Sequence, residues 1–182
     1  MDPRAGWHGN SWLVVRDEVN KVLDIVDPIA MRAAAALLAN RSRRWFASGQ
    51  GRSGLVAQMA AMRLMHVGFD AHVVGEATAP AIGSGDGLLV VSGSGETPVT
   101  LHLAHRAVVA GATLLAITSH PESPLAREAS VVLAVQVPGS HQFGGSLFEQ
   151  SALLLLDALI LDLTAEDPDA YTVMRARHVN LE

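Results

Sequence analysis

A chain of 182 residues, 49% hydrophobic and 17% charged, is long enough to enclose one hydrophobic core of ordinary size. Its net charge of -5 disfavours nucleic acid as a main partner, because duplex binding relies on Lys and Arg to neutralise phosphates. The absence of cysteine excludes disulfides and thiolate chemistry, and no secretory signal pattern begins the chain, so we expect a cytoplasmic protein.

The N-terminal part of the sequence predicts two helices. An apolar stripe of helical period indicates the first over residues 10–26. Asp27 followed by Pro28 is a helix-start signal, with Asp as N-cap and Pro in the first turn, and the second helix should end near Asn40. We expect these two helices (about 10–39) to pack on the sheet or on a partner subunit.

The rest of the chain alternates apolar runs with helical patterns. Strands are predicted in RWFASG, DAHVV, DGLLVV, ATLLAIT and SVVLAVQV, and helices over residues 53–67, 98–110, 123–129 and 147–164, before a polar C-terminal segment. Nearly continuous Val, Leu and Ile strands separated by helices indicate a parallel sheet covered on both faces. The sequence therefore predicts one α/β domain over residues 1–182, a three-layer α-β-α sandwich with a central parallel sheet of about five strands.

The most apolar stretch, SALLLLDALILDL over residues 151–163, is shorter than the ~20 residues that a membrane span needs. Asp157 and Asp162 also interrupt it. We therefore expect a buried or interface helix and no membrane partner. The small fraction of charged residues favours a homo-oligomer, because subunit interfaces cover apolar surface.

Hydroxyl side chains and glycines follow the third predicted strand in the segment SGSGET, residues 92–97. Ser92, Ser94 and Thr97 supply hydroxyl groups, while Gly93 lets the backbone approach a ligand closely. The helix that begins at Pro98 offers free N–H groups and the positive end of its dipole. This combination predicts a pocket for a compact dianion such as a phosphate monoester.

A second glycine-rich turn, SGQGRSG, contains the G-x-G-x-x-G spacing at Gly49, Gly51 and Gly54. The spacing fits a dinucleotide-binding turn, and Glu76 stands about 20 residues on, where the fingerprint has its acidic residue. However, the positions between the last two glycines are a cation and a hydroxyl, which suit hydrogen bonding to substrate oxygens. A nicotinamide enzyme is therefore the weaker alternative, and no organic cofactor is expected.

Several segments together resemble the sugar isomerase (SIS) domain family and, within it, the 6-phospho-3-hexuloisomerase branch: GQGRSG, MRLMHVGFDAHVVGE, VVSGSGETPVT, SPLA, SLFEQSALLLLDAL and RHVNLE. The resemblance covers nearly the whole chain. It implies a flavodoxin-like topology, a homotetramer without cofactor, and the interconversion of D-arabino-hex-3-ulose 6-phosphate and fructose 6-phosphate in the ribulose monophosphate route of formaldehyde fixation. The segment GSHQFGGSLFE departs from the family's usual proline-glycine-threonine approach to the glutamate.

The resemblance also implies catalytic roles for three residues. Glu149, which begins a long predicted helix, is the candidate base that moves a proton between adjacent carbons through a cis-enediol; alternatively it complements the helix dipole. His66 and His178 are candidates for ring opening or proton transfer, and His178 for reaching a neighbouring subunit's pocket. A dipole contact and a solvated surface position are the alternatives for these histidines, and which subunit supplies each stays open.

The remaining candidate residues bind rather than react. Gly51, Arg52 and Ser53 are expected at the substrate oxygens, where a fixed cation would stabilise developing negative charge. The phosphate is expected at the residues Ser92, Gly93, Ser94 and Thr97.

His102 and His105 have possible metal spacing on a helix, but no third ligand accompanies them, so no metal site is expected. Two alternative functions stay open. One is another phosphosugar isomerase of this family, acting on arabinose 5-phosphate or a heptose phosphate. The other is a non-catalytic sugar-phosphate sensor, which would share the phosphate loop and would not need the glutamate and histidines described above.

Overall fold

The computed structural model describes residues 10–181. Along the chain the elements are α1 (Ser11–Asp24), α2 (Pro28–Leu38), β1 (Trp45–Gly49), α3 (Gly51–His66), β2 (Ala71–Val73), β3 (Gly87–Val91), α4 (Pro98–Val109), β4 (Thr113–Thr118), α5 (Pro124–Glu128), β5 (Val131–Ala134), α6 (Ser146–Thr164) and α7 (Ala170–Arg177).

The five strands form one parallel sheet in the order β2-β1-β3-β4-β5. The register places Trp45 of β1 opposite Ala71 of β2 and Gly87 of β3. The predicted three-layer fold, the parallel sheet and its flavodoxin-like strand order are thus confirmed. The strand order has its topological switch point between β1 and β3, because β2 lies on one side of β1 and the later strands lie on the other. In folds of this kind, ligands bind at the switch point, in the crevice beyond the carboxyl ends of the strands.

Alternate side chains of each strand point to opposite faces, and each face has its own core. Trp45, Ala47 and Ile117 pack with α1, α2, α3 and α6 on one face, whereas Phe46 and Ala116 pack with α4 and α5 on the other. Four helices cover the first face and two the second, and the first face holds more of the buried apolar residues. Helices α3 and α6 begin at the edge of the sheet where the ligand crevice is expected.

The two N-terminal helices lie where the sequence predicts them. Asp27 caps α2, because its carboxylate accepts a hydrogen bond of 2.8 Å from the backbone N–H of Ile29, and Pro28 occupies the first helical position. Helix α1 packs on α6, and α2 packs on both α6 and β5. Both N-terminal helices therefore contribute to the core of their own chain.

Several boundaries differ from the predictions, most of them by one or two residues. Helix α3 begins at Gly51, two residues earlier than predicted, and Gly51 has a φ of +57° that glycine reaches without strain. Strand β5 ends at Ala134 rather than near residue 137. The C-terminal segment contains α7, which the sequence does not predict because none of its residues is buried and its apolar pattern is weak.

Within the described part of the chain, no helix combines the length and the hydrophobicity that crossing a membrane would require.

Candidate functional site

A cavity of about 430 Å³ lies at the carboxyl ends of the strands, at the predicted crevice. Four connecting segments form its wall: the turn after β1, the SGSGET loop after β3, the start of the loop after β4, and the segment between β5 and α6. The lining residues that carry polar groups or glycine are Gln50, Ser53, Ser92, Gly93, Ser94, Thr97, Ser119, His120, Ser140, Gly144, Gly145 and Glu149.

The SGSGET loop brings its three hydroxyl residues, Ser92, Ser94 and Thr97, to one cavity wall, as the sequence predicts. Gly95 shapes this loop. Its φ is +63°, and a Cβ atom built there would lie 2.1 Å from the Oγ of Ser123. Any other residue at this position would have a strained backbone and a steric clash. The conformation of the loop that carries the hydroxyl groups therefore requires glycine at position 95.

Three helices, α3, α4 and α6, begin at the cavity wall, where Gln50, Thr97 and Gly145 are their N-caps. None of these three N-caps makes a side-chain capping hydrogen bond. By contrast, Asp27 and Ser123 cap α2 and α5. Free N–H groups and the positive ends of three helix dipoles thus converge on one cavity, which favours an anion there.

The loop after β4 is held against the SGSGET loop by a single acceptor, the carbonyl oxygen of Gly93. This oxygen accepts hydrogen bonds from Thr118 Oγ1 at 3.1 Å, from the backbone N–H of Ser119 at 3.0 Å and from His120 Nδ1 at 3.0 Å. His120 lines the cavity but was not among the predicted site residues. The available signal was its position directly after an apolar strand, at the same edge of the sheet as the other loops.

The G-x-G-x-x-G turn is explained by close backbone packing. A Cβ atom at Gly49 would lie 2.8 Å from the carbonyl oxygens of Ser53 and Val91, and one at Gly54 would lie 2.8 Å from the oxygen of Gly49. Glu76, the acidic residue of the dinucleotide interpretation, lines a different cavity beside Phe46. The glycine spacing therefore has a structural reason that involves no dinucleotide.

Glu149 and Arg52 come together at the site. Glu149 lies in the first turn of α6, lines the cavity, and has a side chain only 14% exposed. Arg52, in the first turn of α3, donates a hydrogen bond from Nε to Oε2 of Glu149, and its own side chain is 61% exposed. A guanidinium group thus lies directly beside the candidate base.

His66 and His178 also come together, but elsewhere in the chain. Their rings stack with centroids 5.3 Å apart, because α7 packs on α3 and places His178 over the end of that helix. His66 is buried, and its Nδ1 has no hydrogen-bond partner among the described residues. Burial, and then the charges of His178 and Arg63, lower the pKa of His66 below its ordinary 6.5.

The histidine pair is separated from Glu149 by the length of α3. Arg52 is near the start of this helix and His66 ends it, and at 1.5 Å of rise per residue their Cα atoms are roughly 21 Å apart along the axis. Within one chain, the structure therefore groups Gly51, Arg52, Ser53, the SGSGET loop and Glu149 at one place and the two histidines at another.

His102 and His105 form no metal site with their neighbours. His105 Nδ1 lies 3.3 Å from the carboxylate of Glu128. Across residues 10–181, no group of three or more His, Asp or Glu side chains is arranged to hold a metal ion.

The chain belongs to the SIS domain family, whose model matches residues 37–161. It is 42% identical over 181 residues to the 3-hexulose-6-phosphate isomerase of Mycobacterium gastri, an alignment that covers 95% of this chain and 90% of the relative. It is 41% identical over 152 residues to the 3-hexulose-6-phosphate isomerase of Bacillus subtilis, which covers 78% of this chain and 81% of that relative.

A solved structure gives the same picture. A protein of Methanococcus jannaschii, for which a molecular function of 3-hexulose-6-phosphate isomerase has been inferred, superposes with a TM-score of 0.85 at 27% identity. The superposition covers 94% of this chain and 99% of that chain. The two chains thus share one fold over nearly all of their lengths.

Proposed function

We propose that the protein is a sugar-phosphate isomerase that interconverts D-arabino-hex-3-ulose 6-phosphate and D-fructose 6-phosphate, a step of formaldehyde fixation by the ribulose monophosphate route. One observation carries the proposal: the carboxylate of Glu149 faces the same cavity as the hydroxyl- and glycine-rich loop at Ser92–Thr97. The identity of about 42% to curated 3-hexulose-6-phosphate isomerases supports this choice of substrate. The absence of cysteine supports the cytoplasmic location that we propose.

The phosphate group binds at the SGSGET loop. The hydroxyl groups of Ser92, Ser94 and Thr97 donate to its oxygens, and Ser53 donates from the facing turn. Backbone N–H groups of Gly93 and of the first turns of α3 and α4 add hydrogen bonds from positive helix ends. Because all of these contacts involve the phosphate alone, they fix one end of the substrate and leave its carbon chain free to extend towards Glu149.

The reaction moves a carbonyl group between carbons 3 and 2. Starting from the 3-ketose, Glu149 removes the proton from carbon 2, and the electrons of that C–H bond form the carbon 2–carbon 3 double bond of a cis-enediolate. Glu149 then returns the proton to carbon 3. The hydroxyl proton on oxygen 2 leaves as the carbonyl forms at carbon 2, and oxygen 3 ends as a hydroxyl. One carboxylate is sufficient for both carbon steps.

Arg52 stabilises the negative charge that develops during the reaction. Its guanidinium group already lies beside the carboxylate of Glu149, so it is also close to the enediolate oxygens that the base approaches. A fixed cation at this position stabilises the enediolate more than the neutral ketose, and this difference lowers the barrier.

His66 and His178 serve the site of a neighbouring subunit, where they carry protons between oxygens 2 and 3. Helix α3, which separates Arg52 from the two histidines, supports this arrangement because it has an exposed apolar face that another subunit can cover. This face carries Leu55, Met59 and Met62, which are 58%, 42% and 43% exposed. Met59 stands midway between Arg52 and His66. Two copies of α3 packed antiparallel about a two-fold axis at Met59 would place His66 of the partner subunit beside Arg52. We infer a homo-oligomer on this basis, with the homotetramer that the family resemblance implies as its expected form.

The test is incubation of the protein with fructose 6-phosphate in deuterated water, followed by ¹³C and ¹H NMR. The proposal predicts deuterium at carbon 3 of fructose 6-phosphate and a new 3-ketose product. Exchange at carbon 1 instead would show an aldose–ketose isomerase of the arabinose 5-phosphate type. Binding of fructose 6-phosphate without any exchange would show a sugar-phosphate sensor, and either result would contradict the proposal.

A further inference from the structure

A buried carboxylate on α1 lies behind the segment that leads into α6. Glu18 belongs to a helix of the N-terminal pair, and its side chain is only 8% exposed. A buried carboxylate needs hydrogen-bond donors around it, because burial removes its hydration. Its donors come from residues more than 120 positions further along the chain, in the segment 138–145, which we name the approach loop.

Three consecutive residues of the approach loop donate four hydrogen bonds to Glu18. Ser140 donates from Oγ at 2.7 Å, His141 from its backbone N–H at 2.7 Å and from Nδ1 at 2.9 Å, and Gln142 from Nε2 at 3.1 Å. A carboxylate accepts up to about four such bonds, so Glu18 uses its full capacity on this one loop. Charge-assisted hydrogen bonds of this kind are stronger than neutral ones.

The approach loop connects this anchor to the candidate base. Ser140, Gly144 and Gly145 line the cavity. Gly145 is also the N-cap of α6, and its carbonyl oxygen accepts the backbone N–H of Glu149 at 3.1 Å. The position of the approach loop therefore sets the position of the first turn of α6, where Glu149 lies.

The composition of the approach loop makes such an anchor necessary. It contains three glycines, at positions 139, 144 and 145, and Gly144 has a φ of +60°. Glycine-rich backbone has many conformations in the absence of tertiary contacts, so holding one of them requires strong interactions. Burial raises the pKa of Glu18, but the hydrogen bonds from the loop outweigh this effect and lower the pKa to about 2. The anchor is thus ionised throughout the neutral range.

We propose that Glu18 is a positioning residue for catalysis: by fixing the approach loop, its carboxylate sets the geometry of Glu149 and of the cavity wall opposite the phosphate loop. This inference rests on the proposed isomerase function. It assigns no contact between Glu18 and the substrate. Among the described residues, Glu18 makes its hydrogen bonds to the approach loop and none to the phosphate-binding loop at residues 92–97, so catalysis and phosphate binding should respond differently when the anchor is lost.

The test compares Glu18→Gln with Asp86→Asn. In Glu18→Gln an NH₂ group replaces one of the two carboxylate oxygens. A donor then faces the donors of the approach loop, where the wild type has an acceptor. Asp86 is a matched control, because it is also a buried carboxylate, held by Arg44 and by the backbone N–H of Gly83, and it precedes β3 at the opposite end of the sheet from the cavity. The measurements are kcat, KM, competitive inhibition by inorganic phosphate, and backbone hydrogen exchange of residues 138–145.

We expect Glu18→Gln to lower kcat by about tenfold or more, since a small misplacement of a reacting group is costly to the rate. Hydrogen exchange of residues 138–145 should accelerate, while the inhibition constant for phosphate stays within about twofold. Asp86→Asn should leave kcat within about twofold even where it lowers the melting temperature. A folded Glu18→Gln protein with normal kcat would overturn the proposal, and so would equal losses of kcat in both variants or a matching loss of phosphate inhibition.

A milder variant keeps the proposal testable if Glu18→Gln does not fold. Gln142→Ala removes one of the four hydrogen bonds from the loop side and should lower kcat by about threefold with faster exchange of residues 138–145; unchanged values of both would overturn the proposal. Failure of the proposed function has a different result, namely a wild-type protein without exchange at carbon 3 of fructose 6-phosphate. In that case kcat cannot be compared, and hydrogen exchange alone tests whether Glu18 fixes the approach loop. Unchanged exchange of residues 138–145 in Glu18→Gln would then overturn the anchoring role.

Discussion

Arg52 and Glu149 form an ion pair although they stand 97 positions apart in the chain. The pair joins the first turn of α3 to the first turn of α6, so it connects the glycine-rich turn after β1 with the start of the longest helix. Glu149 is nearly buried, whereas Arg52 is exposed and therefore accessible to a bound substrate. The candidate base and the candidate electrostatic catalyst are therefore neighbours before any substrate is present.

Replacement of Glu149 by Gln should remove the group that carries the proton between carbons 2 and 3. Since Gln has nearly the same shape, KM should change little, while kcat falls by about 10²–10⁴-fold, the usual loss for a general base. Steady-state kinetics with fructose 6-phosphate measures both constants. Glu166→Gln, at an exposed position beyond the end of α6, is the control and should behave as wild type. Near-normal turnover of Glu149→Gln would remove Glu149 from the role of base.

The double variant Ser94→Ala, Thr97→Ala should weaken substrate binding more than it slows the reaction. The hydroxyl groups hold the phosphate, which does not change during isomerisation, so their loss affects the ground state and the transition state alike. KM should rise by about tenfold or more with kcat within about threefold. Thr172→Ala, an exposed position on α7, serves as the control. A fall in kcat at unchanged KM would contradict the phosphate assignment.

The sequence predicts the fold well because apolar periodicity and helix-start signals are local. The alternation of strands and helices, and the Asp27–Pro28 start of α2, could be identified from residues close together in the chain. Helix α7 could not, because none of its residues is buried and its pattern carries no stripe. The parallel order of the strands followed from the apolar character of the strands and from the family resemblance.

The candidate site was predictable only in part. The SGSGET hydroxyls and Glu149 stand in motifs that can be identified locally. The contacts of Arg52 with Glu149 and of Glu18 with Ser140 join residues about 100 positions apart. Such contacts could not be predicted, because apolar periodicity shows which face of a helix is buried but not which residues pack against that face. For the same reason, the sequence left open that His66 and His178 stack on each other at the end of α3 opposite Arg52.

Replacement of Met59 by Glu should dissociate the oligomer. Met59 is 42% exposed in the single chain, at the centre of the apolar face of α3, and a buried pair of carboxylates at a two-fold axis would repel each other. Light scattering should show smaller particles, and kcat/KM should fall by about 10²-fold as each site loses the histidines of its partner. Leu161→Glu, 69% exposed on α6, is the control and should change neither. A fully active monomer would contradict the shared site.

The stability contributed by Glu18 should depend on pH in a defined window. Its pKa is about 2 in the folded protein and 4.5 as the reference value, so its contribution is present above pH 4.5 and is lost as the pH falls towards 2. Urea unfolding of wild type and Glu18→Gln at pH 5 and pH 3 should show their difference in unfolding free energy shrinking by about 2 kcal/mol.

His141, whose ring lies beside Glu18, and Lys21, which lines the same surface cavity, are present in both proteins, so the difference between wild type and variant reports on position 18. A difference in unfolding free energy that stays the same at both pH values would contradict the hydrogen-bonded, ionised state of Glu18.

The most direct measurement is a crystal structure of the Glu149→Gln variant soaked with fructose 6-phosphate. Our account predicts the phosphate at Ser92, Ser94 and Thr97, within reach of the first turns of α3 and α4, and the side chain of residue 149 in contact with carbons 2 and 3. A phosphate bound outside the SGSGET loop, or a sugar whose second and third carbons face away from residue 149, would contradict it.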